Sequence, residues 1–80
     1  MKLKMFSIYD QKVQVFNTPF FMVNQQIAKR AFSDLMQEEG TTINKHPKDF
    51  ALYELGEYDD STGKLDNHPV AVMLLINEEE

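Results

Sequence analysis

The chain of 80 residues contains no cysteine, and this absence removes the covalent supports on which many small folds depend. Without cysteine, the fold has neither disulfide bonds nor a cysteine-based zinc site. A chain this short buries only roughly 60% of its unfolded surface, so we expect a small margin of stability. Association with a second copy is the remaining common remedy.

Long apolar runs are also missing. The longest, over residues 70–76, is much shorter than the roughly 20 residues that a membrane-spanning helix needs. The basic N-terminus is not followed by an apolar segment, because Ser7, Asp10 and Gln11 interrupt it, so we expect no signal peptide. These absences predict a soluble, cytoplasmic protein without a membrane partner.

Basic residues are few, since 8 lysines and arginines stand against 13 aspartates and glutamates, for a formal net charge of −5. The two signs are unevenly distributed along the chain. Residues 1–48 hold seven basic groups against four acidic ones (+3), and residues 49–80 hold one against nine (−8). An acidic chain is a poor general DNA binder, because binding to a polyanion depends on cations that displace counterions. The N-terminal half would present a basic surface only if folding separates the two signs of charge.

The spacing of apolar residues predicts an α+β fold in one domain over residues 1–80, with an acidic, frayed tail at 77–80. Asn24 is a suitable N-cap for a helix over residues 25–38, which has an apolar stripe on one side and ends before Gly40. We expect a small antiparallel sheet of four or five strands with this amphipathic helix packed on one face. The strands are predicted at residues 2–9, 12–16, 20–23, 50–58, and 64–66 with 70–76.

Two details of the strands are also predicted. In the first strand, Leu3 and Met5 alternate with lysines, and Phe6 and Ile8 follow out of step with them. This pattern indicates either a β-bulge or a strand that is covered on both faces towards its end. The polar residues 59–64 (DDSTGK) are typical of a hairpin tip in which a glycine adopts positive φ.

The sequence offers little that is typical of catalysis or metal binding. Residues 61–64 (STGK) resemble part of a phosphate-binding loop, but Tyr58 and Leu65 stand where that motif requires a glycine and a hydroxyl residue. The carboxylates of the second half fit no cation-binding loop, and His46 and His68 have no cysteine to complete a tetrahedral site. We therefore expect no enzyme activity, no cofactor and no metal.

Residues 70–76 are apolar on both faces of the predicted strand, so both faces need cover. A single helix covers only one face of the sheet. We therefore predict a homodimer whose interface includes Val70, Val72, Leu74 and Ile76. Full burial within one chain, or cover by an aromatic cluster of Phe16, Phe20 and Phe21, is the alternative.

Cations interspersed with aromatic residues are typical of proteins that bind single-stranded DNA, in which a positive groove holds phosphates and rings stack on bases. Here this hypothesis requires that the cations gather on one surface and the carboxylates on another. The alternative is that the lysines serve solubility and the aromatic rings lie in the core. The candidate contacts are Lys2, Lys4, Lys12, Lys29, Arg30, Lys45 and Lys48, with Tyr9, Phe20 and Phe21.

Residues 45–50 (KHPKDF) and 54–64 (ELGEYDDSTGK) resemble the small nonstructural protein of the gokushoviruses, phages of the Microviridae with single-stranded DNA genomes. The resemblance starts near Lys2 and continues to Lys64. It implies a nonenzymatic, non-virion protein of the host bacterial cytoplasm that acts in viral single-stranded DNA synthesis. Its expected partners are single-stranded DNA, bound weakly and without sequence specificity, and viral or host replication proteins.

An adaptor function is the alternative. In that case the acidic half of the chain would bind a basic partner, such as a replication or capsid-assembly protein. The carboxylates concerned are Glu54, Glu57, Asp59 and Asp60.

Overall fold

The structure of the chain, a computed structural model, describes residues 1–76. It confirms the predicted α+β class, with a curled antiparallel sheet and one main helix. The strands are β1 (Lys2–Asp10), β2 (Val15–Phe16), β3 (Phe20–Met22), β4 (Phe50–Asp59) and β5 (Lys64–Ile76). The helices are α1 (Gln25–Gln37) and the short α2 (Thr42–Lys45), which a 3₁₀ turn (Pro47–Asp49) connects to β4.

The first strand lies inside the sheet and pairs on both sides. β4 runs antiparallel along one side of β1, and β2 and β3 share the other side. β5 pairs with β4 through the predicted hairpin, in which Gly63 has φ +75°. Within the described part of the chain, β5 therefore forms one edge of the sheet, and β2 and β3 form the other.

The main helix begins and ends close to the predicted residues. The Asn24 side chain accepts a hydrogen bond from the backbone N–H of Ile27 at 3.0 Å, which caps the first turn. The backbone N–H of Glu38 donates to the Leu35 carbonyl at the other end, and Gly40 then turns the chain with φ +93°. These caps confirm the predicted helix to within one residue.

The hydrophobic core lies between α1 and one face of the sheet, which we call the helix face. Phe6, Phe32 and Leu52 are completely buried there, and each large buried side chain stabilises the fold by roughly 1.5–3 kcal/mol. Phe20, Met22, Leu35, Met36, Leu74 and Leu75 pack around this core. The remaining buried members are Ile8, Ala28, Ile43 and Phe50.

The first strand resolves the two alternatives that its pattern left open. Met5, Phe6, Ser7 and Ile8 are all buried, so this part of β1 is covered on both faces. The register with β4 shifts between Met5 and Phe6, but the extra residue is Leu55 of β4. The bulge therefore lies in the partner strand.

The predicted strand over residues 12–16 is wrong, because only Val15–Phe16 is extended. Oδ1 of Asp10 accepts hydrogen bonds from the backbone N–H groups of Lys12 (2.9 Å) and Val13 (3.4 Å), and Gln14 has φ +63°. An aspartate that bonds the backbone ahead of it stabilises a turn. This turn replaces the first half of the predicted strand.

The predicted segments 64–66 and 70–76 belong to one strand with two irregularities. Residues 68–71 lie opposite Leu55 alone, and Leu74 is an extra residue between the pairs Tyr53–Met73 and Leu52–Leu75. At Gly56 the strands are very close, since a Cβ there would overlap the Asp66 carbonyl oxygen. Only glycine permits this approach.

The predicted interface residues on β5 differ in how far they are exposed to solvent. Val70 is 75% exposed and Val72 is 47% exposed, whereas Leu74 packs against the core. The side chain of Ile76 and the predicted frayed tail, 77–80, lie outside the described residues. Part of the apolar strand is therefore covered within the chain, and the homodimer stays a prediction.

Over residues 1–76, no helix is long and apolar enough to cross a membrane.

Candidate nucleic-acid interface

The sheet face opposite α1, which we call the open face, carries side chains of odd-numbered β1 residues and of their cross-strand partners. Strand side chains alternate between faces, so Met5 and Tyr9 point away from the core that Phe6 and Ile8 enter. Within residues 1–76, no helix packs over this face. Its aromatic residues are Tyr9, Phe16, Phe21, Tyr53 and Tyr58.

Three of these rings form one cluster at the end of the sheet where β2 pairs with β1. The ring centroids of Tyr9 and Phe16 are 4.7 Å apart, and Tyr53 lies 5.7 Å from Tyr9 and 5.4 Å from Phe16. Ser7 and Ala51 are completely buried on this side of the sheet. Phe16 remains 43% exposed, so the three-ring cluster presents an aromatic surface to solvent.

The other two rings form a second cluster towards the hairpin end. The centroids of Phe21 and Tyr58 are 5.5 Å apart, and Phe21 pairs across the sheet with Met5. Phe21 is 40% exposed, whereas Met5 is buried. Each cluster therefore presents one exposed phenylalanine that packs against tyrosine.

The structure places two of the three predicted stacking residues, Tyr9 and Phe21, on the open face. Phe20 instead lies on the helix face, where its ring stacks on Phe6 at 5.8 Å and packs against the core. Phe20 is partly buried on the face opposite the other two rings, so the open face does not include it. Phe16, Tyr53 and Tyr58 also lie on the open face, although the sequence did not indicate them as stacking residues.

The predicted cations do not gather on one surface. Nζ of Lys4 lies 3.9 Å from Glu54 Oε2 and 3.8 Å from Glu57 Oε2, and Nζ of Lys2 lies 4.0 Å from Glu57 Oε1. The antiparallel pairing of β1 with β4 causes this mixing, since it places the basic first strand beside the acidic hairpin. The expected separation of charge is therefore wrong at this end of the molecule.

The other cations divide into two groups. Lys29 and Arg30 belong to α1, which lies on the opposite side of the sheet from the open face. Lys12, Lys45 and Lys48 are exposed and belong to segments at the same end of the sheet as the three-ring cluster; we call them the end lysines.

Two contacts bring the end lysines together. The backbone N–H of Gln11 donates to the Asp49 carbonyl at 2.7 Å, which ties the turn of Lys12 to the 3₁₀ turn that contains Lys48. Lys12 and His46 also line one shallow pocket, beside Asp10 and Asp49. These contacts place the turn of Lys12 beside the segment that holds Lys45 and Lys48, and Asp10 and Asp49 lie at the same place.

A buried carboxylate lies at the start of α1, on the helix face. Glu54 is only 5% exposed; its Oε1 accepts a hydrogen bond from Gln25 Nε2 at 2.8 Å. Its Oε2 lies 2.6 Å from His68 Nε2, and an ionised carboxylate only accepts hydrogen bonds, so Nε2–H is the donor. Burial alone would raise the pKa of Glu54, but the bonds from Gln25 and His68 and the charge of Lys4 together hold this pKa below its ordinary value.

The acidic residues of the adaptor hypothesis have partners within the chain. Glu54 is buried, and Glu57 lies within reach of two lysines. Oδ1 of Asp60 accepts from the N-terminal ammonium group at 2.8 Å. Hydrogen bonds from the Ser61 hydroxyl and N–H lower the pKa of Asp59. In the described part of the chain, no group of three or more histidine, aspartate or glutamate side chains is arranged to hold a metal.

Comparison with known protein families gives a match over most of the chain. The sequence model of the family described as Phage ORF5 protein matches residues 3–79, which includes both aromatic clusters. Neither the curated proteins nor the solved structures contain a match to this chain.

Proposed function

Because the chain belongs to the Phage ORF5 protein family, we propose that it is a nonenzymatic phage accessory protein that contacts single-stranded DNA during viral genome synthesis. The resemblance of residues 45–64 to the gokushovirus nonstructural protein supports the link to a single-stranded DNA phage. It also supports a site of action in the host bacterial cytoplasm.

The uncovered aromatic sheet face is the observation that carries this proposal. Bases of a single strand stack on exposed rings, and each stacked base contributes roughly 1–3 kcal/mol. Sheets that present aromatic side chains bind unpaired bases in this way. The exposed rings of Phe16 and Phe21 offer such surfaces, and tyrosines hold both rings in place. A duplex keeps its base faces stacked inside, so we expect a preference for single strands.

The separation of charge that the sequence hypothesis required is not found for Lys2 and Lys4, so the proposal now depends on the aromatic face. The remaining cations favour only weak binding with a modest dependence on salt. Among the described residues, Lys12, Lys45 and Lys48 lie in no ion pair and belong to segments at the same end of the sheet as the three-ring cluster. Three phosphate contacts on a single strand predict a slope of about −2 for log affinity against log salt. Stacking and phosphate contacts carry little base information, so we expect no strong sequence preference.

Fluorescence anisotropy of a labelled single-stranded oligonucleotide, measured over a salt series, tests the proposal. We expect the double variant Lys12→Glu/Lys48→Glu to lose binding at low salt, because it places negative charge at the end of the sheet that carries the three-ring cluster. The matched control is Lys29→Glu/Arg30→Glu, which changes the net charge equally but on the side of the sheet that α1 covers.

Two results would contradict the proposal. If the wild type binds no oligonucleotide at low salt, DNA contact is excluded and the adaptor hypothesis, tested through Asp59→Lys/Asp60→Lys, takes its place. If both double variants weaken binding equally, the DNA lies elsewhere than on the open face.

A further inference from the structure

The two exposed phenylalanines of the open face stand apart but point to the same side of the sheet. Phe16 pairs with Tyr9 and Phe21 pairs with Met5, and these partners are four residues apart on β1. At about 3.3 Å per residue, the two rings are separated by roughly 13 Å along the strand. Both partners are odd-numbered β1 residues, so the rings share a face.

The segment between the two rings is polar and exposed. Asn17, Thr18 and Pro19 connect β2 to β3 along the sheet edge, and all three are exposed. The Ser7 hydroxyl donates to the Asn17 carbonyl at 2.6 Å, which fixes this connection to β1. A strand that crosses from one ring to the other would pass over these polar groups.

We propose that Phe16 and Phe21 form two separate base-stacking subsites, which one DNA strand occupies together by passing over residues 17–19. This inference rests on the function proposed above. A separation of roughly 13 Å equals about four rises of about 3.4 Å in a stacked strand, so a strand of about five nucleotides is needed to reach both rings. A shorter strand therefore reaches only one subsite at a time.

The two subsites differ in charge. The Phe16 subsite lies at the same end of the sheet as the end lysines, whereas Tyr58, which packs on Phe21, directly precedes Asp59 and Asp60 in the hairpin. Phosphate is attracted to the first position and repelled from the second. The Phe16 subsite therefore binds short strands, and the Phe21 subsite contributes only when the same strand already occupies the first.

Intrinsic tyrosine fluorescence measures this binding without a label, because all three tyrosines of the chain lie on the open face. We would titrate the wild type, Phe16→Leu and Phe21→Leu with oligothymidylates from about two to about eight nucleotides long, a range within which one strand comes to span both rings. The control is Ile27→Ala, which removes an apolar side chain of similar exposure (44%) from α1.

The expected result is a steep rise in affinity as the length passes about four nucleotides. Phe21→Leu should weaken binding of the longest oligonucleotide by roughly 5- to 150-fold, which corresponds to the loss of one stacked base. Binding of the shortest oligonucleotide should not change. Phe16→Leu should weaken binding at every length, and Ile27→Ala should have no effect.

NMR spectra of the aromatic rings in the unmodified protein provide a second measurement that does not depend on the folding of variants. A long strand should shift the signals of both phenylalanines, and a dinucleotide only those of Phe16. If the wild type binds but shows no length step, or if Phe21 never responds, the two-subsite inference fails and the proposed function stands. If the wild type binds no oligonucleotide of any length, the proposed function fails as well.

Discussion

At the scale of single residues, Glu54 is the most constrained charged group among the residues that the structure describes. Its carboxylate accepts hydrogen bonds from Gln25 of α1 and His68 of β5, and it lies 3.9 Å from the ammonium group of Lys4 of β1. A buried charge costs stability unless hydrogen bonds and opposite charges satisfy it. The hydrogen bonds and the lysine charge therefore stabilise the ionised form of Glu54.

Glu54→Gln should destabilise the fold at neutral pH by roughly 1–3 kcal/mol, because the amide replaces an acceptor of two strong hydrogen bonds. Denaturant unfolding measures the loss. The control is Glu57→Gln, since Glu57 is more exposed and its lysine contacts are long, so we expect a change of at most about 1 kcal/mol.

The pH dependence of the free energy of unfolding shows whether the ionised form of Glu54 stabilises the fold. The pKa of Glu54 lies below the ordinary value of 4.5, so its stabilising contribution is complete above that value and is lost as the pH falls through the lower, folded-state pKa. Glu54→Gln should therefore lose less stability than the wild type on acidification from neutral pH. Equal losses in both proteins would show that folding does not lower the pKa of Glu54.

At the scale of elements, local signals predicted most of the helix and the hairpin. Asn24 accepts the capping bond that its position in the sequence indicated, and Gly63 adopts the expected positive φ. The strand predicted over residues 12–16 failed because Asp10 binds the backbone N–H groups that a strand would use. The bulges of β5 were not predictable, because they depend on how closely two distant segments approach at Gly56.

Asn24→Ala should lower the free energy of unfolding by about 1 kcal/mol, since the N–H of Ile27 loses its acceptor. The midpoint of denaturant unfolding measures this change. Gln26→Ala is the matched control, because Gln26 is exposed in the same turn and alanine favours helix. Equal midpoints for the two variants would show that the cap contributes nothing to stability.

At the scale of the whole molecule, the arrangement of charge and rings could not be derived from the sequence, because it depends on which strands pair. The antiparallel register of β1 with β4 sets Lys2 opposite Asp59 and Lys4 opposite Glu57, and this pairing mixes the charges. The same register brings Tyr53 beside Tyr9 on the open face. The sequence therefore indicated the types of residue that the candidate interface uses, but not most of their positions.

The predicted homodimer belongs to this scale, and the exposed part of β5 provides its test. We expect the wild type to sediment as a dimer and Val72→Lys to sediment as a monomer. In the predicted interface the new lysine would be buried without a partner, which costs several kcal/mol. Val13→Lys is the matched control, since Val13 is 63% exposed and follows β1 in the turn before β2, at the opposite edge of the sheet. A monomeric wild type at all concentrations, or equal behaviour of the two variants, would contradict the prediction.

The position of Glu54 also has a consequence for cooperativity. If β5 separated from β4, His68 would leave with it, and the carboxylate would remain under the first turn of α1 with one strong donor fewer. The helix start and the sheet edge are thus coupled through one charge, although they do not adjoin in the sequence. We therefore expect amide hydrogens in both segments to exchange with solvent in a single opening event.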